Sequence, residues 1–195
     1  MSIEFEAKFL NINVNYIIKK IYNLGGKLLF KNRLMRRCVY DIPGANMGKW
    51  CRVRDEGNGI VTMTFKNIIK KSINGVKEIE LTVDSFENAR KFLRSIGLKE
   101  RAYQENRRTR LVIKKDNVEF DIDHWPALEP YLEIEAQNEK MVKKYVNLLG
   151  FDMKDAMFGS TDFVYAKVYN ISRNFINKNC PILTFDNIPK ELKSK

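Results

Sequence analysis

Three short stretches of this sequence repeat one design. Ile3-Glu4-Phe5-Glu6-Ala7-Lys8-Phe9, Glu78-Ile79-Glu80 and Glu133-Ile134-Glu135 alternate charged and apolar residues, and each precedes a helix-like segment ending on a glycine, at Gly25, Gly97 and Gly150. Successive side chains of a strand point to opposite faces, so Glu4, Glu6 and Lys8 share one side while Phe5, Ala7 and Phe9 take the other. Amphipathic helices need an apolar surface to cover, and the greasy strand faces supply it from outside. The charged faces are then left lining the interior of a barrel.

The rest of the chain supplies more strands of the same kind. Lys27 to Ile42 reads as a long strand carrying Arg36, Arg37, Tyr40 and Asp41, closed by a turn at Pro43-Gly44. Trp50 to Asp55 and Ile60 to Asn67 are joined by Glu56-Gly57-Asn58-Gly59, a hairpin signal; Arg52 and Arg54 share one face, as do Thr62, Thr64 and Lys66. Val76 to Val83 sets Glu78, Glu80 and Thr82 against Ile79, Leu81 and Val83. A basic strand with Arg107, Arg108 and Arg110 runs to a turn at Lys115-Asp116-Asn117, and Val118 to Asp123 then puts Glu119, Asp121 and Asp123 on one face.

Helical spacing appears at Val14, Ile17, Ile18, Ile21 and Leu24, with an N-cap at Asn11 or Asn13. Asp84 and Glu87 read as a capping box for a second helix bearing Phe86, Ala89, Phe92, Leu93 and Ile96; a third, from about Glu139, carries Met141, Val142, Tyr145, Val146 and Leu149. Phe163 to Val168 is a candidate fourth helix. Residues 1–169 are expected to form one α+β domain, and residues 170–195, with Pro181, Pro189 and a basic end, a loosely ordered tail packed on it or extending from it.

A length of 195 residues with 44% hydrophobic content supports a sizeable core. No apolar run approaches the ~20 residues that cross a bilayer, and Met1-Ser2-Ile3-Glu4 lacks the pattern of a signal peptide, so a cytoplasmic protein with no membrane partner is expected. Cys38, Cys51 and Cys180 have no Cys-x-x-Cys spacing and read as reduced thiols. His124, beside Trp125-Pro126, reads as a turn residue, and Tyr40, Tyr103 and Trp50 as packing residues in strands.

The net charge of +11 favours anionic partners. Nucleic acid is nevertheless disfavoured, because many of the 24 acids sit in pairs on the same strands as the bases, where they would repel phosphates. Buried charges are tolerable only when paired or bound to ions, so an interior lined this way calls for a ligand carrying both signs. A metal-chelated triphosphate has that character: Lys and Arg neutralise its oxygens, and carboxylates hold hard Mg²⁺ or Mn²⁺.

Glu4-x-Glu6-x-Lys8 at the N-terminus resembles the signature of CYTH proteins, the triphosphate tunnel metalloenzymes, which include class IV adenylyl cyclases and thiamine and inorganic triphosphatases. Arg52-x-Arg54, Lys66, Glu78-x-Glu80, Arg107-Arg108-x-Arg110, Asp121-x-Asp123 and Glu133-x-Glu135 follow in the family's order, over residues 1–169. The resemblance implies an eight-stranded antiparallel β-barrel, the triphosphate tunnel, with helices packed outside. It implies that Lys8, Arg52, Arg54, Lys66 and one or more of Arg107, Arg108 and Arg110 grip the triphosphate or nucleoside triphosphate substrate. Glu4, Glu6, Asp121, Glu133 and Glu135 would be metal ligands, with Glu4, Glu6 and Lys8 at the chemistry and Glu78, Glu80, Asp123 and Arg37 in support. One departure is Val76, where the family often places an arginine two residues before the acid aligned with Glu78. The resemblance points first to a metal-dependent triphosphatase. A class IV adenylyl cyclase is the alternative, and a non-catalytic barrel binding polyphosphate or RNA is a third reading; a homodimer is compatible with all of them.

Overall fold

In the computed structural model, which describes residues 1–46 and 48–193, the alternating strands close on themselves. In chain order they are β1 (Ser2–Phe9), β2 (Lys27–Asp41), β3 (Lys49–Asp55), β4 (Val61–Ile68), β5 (Val76–Val83), β6 (Lys99–Ile113), β7 (Val118–His124) and β8 (Tyr131–Ala136). They follow the order β2-β3-β4-β5-β1-β8-β7-β6, and β6 pairs back onto β2 to complete an eight-stranded antiparallel barrel. A two-residue strand, β9 (Ile182–Leu183), adds to β6 in parallel.

Helices cover the barrel from outside. Ala7, Phe9, Leu111, Phe120, Leu132 and Ile134 turn outward and are buried under α1 (Val14–Asn23) and α3 (Glu139–Leu149), which contribute Ile17 and Ile21, and Val142, Tyr145, Val146 and Leu149. Each such side chain, fully buried, contributes about 1.5–3 kcal/mol. A second cluster joins Cys38, Tyr40, Val53 and Val61 to Ala89 and Leu93 of α2 (Phe86–Ser95). Asn13 caps α1 by accepting from the Tyr16 amide, and Gly150 ends α3 at φ 82°, a conformation that costs glycine little. The cap of α2 differs from the sequence expectation: Ser85, not Asp84, accepts from the Asn88 amide. Ser85 has the extended backbone an N-cap requires, which moves the helix start one residue on.

The segment after β8 closes one end of the barrel. Trp125 and Tyr131, at the ends of β7 and β8, pack with Val164 and Tyr165 of α4 (Thr161–Tyr169), Ile176 of α5 (Arg173–Asn179), Cys180, Leu183 and Leu192. The Tyr165 hydroxyl donates to the Pro126 carbonyl at 2.6 Å. The residues expected as a loose tail therefore contain a helix, a strand and, among those described, four buried apolar side chains, Ile176, Cys180, Leu183 and Leu192. Cys38, Cys51 and Cys180 are free thiols, and among the described residues no helix is long and apolar enough to cross a membrane.

Candidate active site in the barrel tunnel

Alternation along each strand fixes what the tunnel contains. Inward faces deliver Glu4, Glu6 and Lys8 from β1, Arg52 and Arg54 from β3, Lys66 from β4, Glu78 and Glu80 from β5, Arg108 and Arg110 from β6, and Glu133 and Glu135 from β8. They surround a cavity of about 240 Å³, roughly eight water volumes at ~30 Å³ each. A void of that size lined by ionic groups is a ligand site, not a packing defect. Nine acidic and nine basic side chains line it, so its fixed charge cancels.

Strand register brings opposite charges together. Lys8 stands beside Glu133, and its ammonium donates to Glu6 at 2.7 Å and lies 2.8 Å from Glu133. Lys66, opposite Glu78, bonds Glu4 at 2.6 Å and lies 3.1 Å from the Glu78 Oε2. Arg108 forks onto Asp123 with both contacts at 2.7 Å, and Arg110 forks onto Asp121 at 2.7 and 2.6 Å; Arg108 also pairs with Asp121. Planar guanidinium forks are strong, directional partners for carboxylates.

Two regions stay unbalanced. Among the described residues Glu135 has no ion-pair partner, and burial, with Glu133, Glu4 and Glu6 nearby, pushes its carboxyl up to about 8. Burial also raises Glu6 to about 7 despite Lys8, with Glu133 and Glu4 adding repulsion, and raises Glu4. One oxygen of Glu4 is buried without a hydrogen bond. Against the same burial, Lys8 and Arg108 hold Glu133 low, while Glu133 and Glu6 raise Lys8. The opposite imbalance lies at Arg37, Arg52 and Arg54. Arg37 has no carboxylate partner among the described residues; it bonds Gln104 at 3.0 Å and lies 4.1 Å over the Trp125 ring. Burial and the neighbouring Arg52 and Arg54 push Arg37 down to about 9, and burial with Arg54 pushes Arg52 down to about 10. One region of the cavity has more carboxylates than cations, and in the other Arg52 and Arg54 pair with Glu80 and Glu56 while Arg37 has no carboxylate among the described residues.

A divalent cation suits the first region. Glu4, Glu6 and Glu135, with Glu133 beside them, offer only hard carboxylate oxygens, one of them unpartnered, and their mutual repulsion is what a cation relieves. Among the described residues no three acidic, His or Cys side chains already converge at ligating distance, because Lys8 and Lys66 occupy the carboxylates. Asp121, expected as a ligand, is buried beneath the forks of Arg108 and Arg110.

Other expected residues separate by face. Arg108 and Arg110 line the cavity, whereas Arg107 lies 5.4 Å over the Phe185 ring outside it. Asp123 lies in the wall, held by Arg108 and by Asn106 at 3.2 Å. Glu80 receives Thr64 at 2.8 Å and Arg52 at 3.3 Å. Val76 lines the tunnel and Lys77 does not, so no base stands at that position. Sequence reasoning missed Gln104 and Asn106, which follow the same parity as Arg108 on β6; the basic strand was read from Arg107, whereas β6 begins at Lys99. It also missed Asp162, Arg173 and Asn177, where α5 clasps α4: Arg173 and Asn177 donate to Asp162 at 2.6 and 2.8 Å at the tunnel wall.

No family model matches the chain. A Methanocaldococcus jannaschii protein named "Putative adenylate cyclase MJ0240" is 27% identical over 158 residues, covering 75% of this chain and 87% of that protein. The PH1012 protein of Pyrococcus horikoshii superposes with a TM-score of 0.66 at 26% identity, over 78% of this chain and 93% of its own. A Hippeastrum protein described as "Putative adenylyl cyclase HpAC1", with a dominant triphosphatase activity, shares the fold at a TM-score of 0.55 and 16% identity, over 86% of this chain and 96% of its own. The closed eight-stranded barrel joins these likenesses to the ordered motifs inside it. Together they support a likeness to the CYTH, or triphosphate tunnel metalloenzyme, family. Val76 puts no base in the tunnel, and Arg37 enters the same cavity from β2.

Proposed function

We propose that this chain is a metal-dependent enzyme of the CYTH type that hydrolyses triphosphate-bearing substrates in its tunnel. The observation that carries this reading is the split of one enclosed cavity into a cation-poor group of carboxylates and an anion-poor group of arginines. Only a ligand bearing both signs satisfies both, and a metal-chelated triphosphate bears them at the spacing of one small molecule.

Arg37, Arg52 and Arg54 hold phosphate oxygens, and Lys8 and Lys66 exchange their carboxylates for the substrate when it enters. Glu4, Glu6, Glu133 and Glu135 would hold Mg²⁺ or Mn²⁺, which would supply Lewis-acid polarisation of the phosphoryl oxygens. Arg108 and Arg110, fixed by Asp121 and Asp123, keep the wall rigid. Phosphoryl transfer needs charge neutralisation and in-line positioning more than a protein nucleophile, and this wall supplies both while restricting water.

Cyclisation of ATP is the second reading, favoured by the name of the M. jannaschii relative. One assay separates the two: protein with Mg²⁺ or Mn²⁺ and inorganic triphosphate, thiamine triphosphate or ATP, with products identified. Orthophosphate release is expected; cyclic AMP with pyrophosphate would replace the hydrolase by the cyclase, and no turnover of any of the three would overturn both. Glu6→Gln and Glu135→Gln should each lower turnover by about 100-fold or more, the scale of lost electrostatic stabilisation, with the circular dichroism spectrum unchanged.

A further inference from the structure

One end of the cavity is walled by a part of the chain outside the barrel. Apart from Trp125, every described residue that lines the cavity from outside the strands lies between 159 and 177, in α4, α5 and the turn before α4. The Thr161 hydroxyl lies 3.4 Å from that of Tyr131, which puts the start of α4 at the end of the tunnel where β7 runs into Trp125 and β8 begins.

Donors outnumber acceptors at this end. Arg37 donates through Nε to the Gln104 Oε1 at 3.0 Å, so its two terminal nitrogens meet no carboxylate among the described residues, and no described group accepts from the Gln104 amide nitrogen. The Trp125 ring lies 4.1 Å from the Arg37 guanidinium carbon and is 2% exposed, and its indole N–H is buried without an acceptor. Buried donors in that state are costly, and folded chains leave few of them. The first amides of α4, those of Thr161 and Asp162, also meet no described acceptor, and a helix N-terminus carries partial positive charge. The acid that this segment presents to the cavity is neutralised: Ser160 donates to one oxygen of Asp162, and Arg173 and Asn177 donate to the other at 2.6 and 2.8 Å.

We propose that Arg37, Gln104, Trp125 and the first turn of α4 form a specificity pocket for an unesterified terminal phosphate. This deepens the triphosphate reading and rests on it. A terminal phosphoryl group has three non-bridging oxygens and more charge than an esterified one, so it engages several convergent donors at once. An esterified phosphate brings a carbon substituent, and α4 and α5 stand where that substituent would have to go. The organic part of a substrate therefore lies toward the opposite end of the tunnel, and a triphosphate substituted at both ends is rejected.

Calorimetry on the full chain with Mg²⁺ tests this. The ligands are a bis-imido analogue of inorganic triphosphate, whose P–N bridges resist hydrolysis, and the same analogue carrying adenosine at one end or at both. The first two should bind within ~10-fold of each other and the third at least ~100-fold more weakly. Gln104→Glu hands Arg37 a carboxylate in place of the amide oxygen. It should weaken binding of the first two ligands by ~100-fold or more, because it occupies Arg37 and sets a like charge beside the phosphate. The urea midpoint of the ligand-free variant should not fall, a combination that loss of structure does not produce. Trp125→Phe keeps a ring beside Arg37 and removes the N–H; it should weaken the same two ligands by ~10-fold, with circular dichroism reporting whether it folds. Equal binding of the singly and doubly esterified analogues overturns the proposal, and so does a Gln104→Glu protein that binds as tightly as the native chain. In either case the triphosphate reading stands without this pocket. If none of the three analogues binds, that reading falls and the pocket with it.

Discussion

Glu135 shows how a buried acid reports on what is missing from its surroundings. Held up to about 8 by burial and by Glu133, Glu4 and Glu6, it keeps its proton in the folded chain across a range where the unfolded chain has released it. Folding then binds a proton between the ordinary glutamate range and about 8, so the metal-free protein loses stability as pH rises through that window. Thermal unfolding in chelator from pH 5 to 8 should show a falling midpoint, and Glu135→Gln, which cannot ionise, should flatten the fall. An unchanged slope would mean that the carboxyl is ionised already. Asp121 is the opposite case: Arg108 and Arg110 both bind it, and its side chain is 2% exposed. Asp121→Ala removes a carboxylate shared by two guanidinium groups, of which Arg108 keeps Asp123 and Arg110 keeps Glu119, and should cost about 1.5–3 kcal/mol, read from urea unfolding.

Helix ends test how far a local sequence signal can be trusted. Asp84 and Ser85 are both good caps, and the Asp84/Glu87 spacing favoured the first; the extended backbone and the Asn88 contact belong to the second. Ser85→Ala should therefore destabilise by about 1 kcal/mol and Asp84→Ala by a few tenths, in matched denaturant titrations. The strands were far more legible than this. A period of two leaves no choice of face, so Glu4, Glu6, Lys8, Arg52, Arg54 and Glu133 could be assigned inward from spacing once helices were needed outside. Arg107 shows the limit: in Arg107-Arg108-x-Arg110 only the strand's phase separates the tunnel residues from their neighbour, and phase requires knowing where β6 starts. The α4–α5 clasp was illegible for a different reason. Ile176, Cys180 and Leu183 keep a helical spacing, yet α5 ends at Asn179 and Leu183 lies in a strand, so the period alone misplaces the element.

At the scale of the molecule, the charge that suggests an anionic ligand and the charge that surrounds the tunnel are different populations. Nine acids and nine bases cancel along the cavity, so the net +11 resides on the remaining residues, and salt should affect the outer surface more than the enclosed pairs. The tunnel instead depends on being closed, and residues after 169 help close it: Ile176 and Leu183 are buried against Trp125, Tyr131 and Tyr165, while Arg173 and Asn177 of the same segment fix Asp162 at the wall. Stability and ligand binding are thereby coupled through the C-terminal segment. Ile176→Ala should cost about 2–4 kcal/mol from lost burial and the cavity left behind, measured by urea unfolding. Arg173→Ala should cost much less in stability, because its side chain is 28% exposed, yet it should weaken binding of inorganic triphosphate measured by calorimetry, since it frees the Asp162 carboxylate to repel phosphate inside the cavity. If Arg173→Ala binds triphosphate as tightly as the native chain, the clasp is a support of the fold alone, and the tunnel ends before α4.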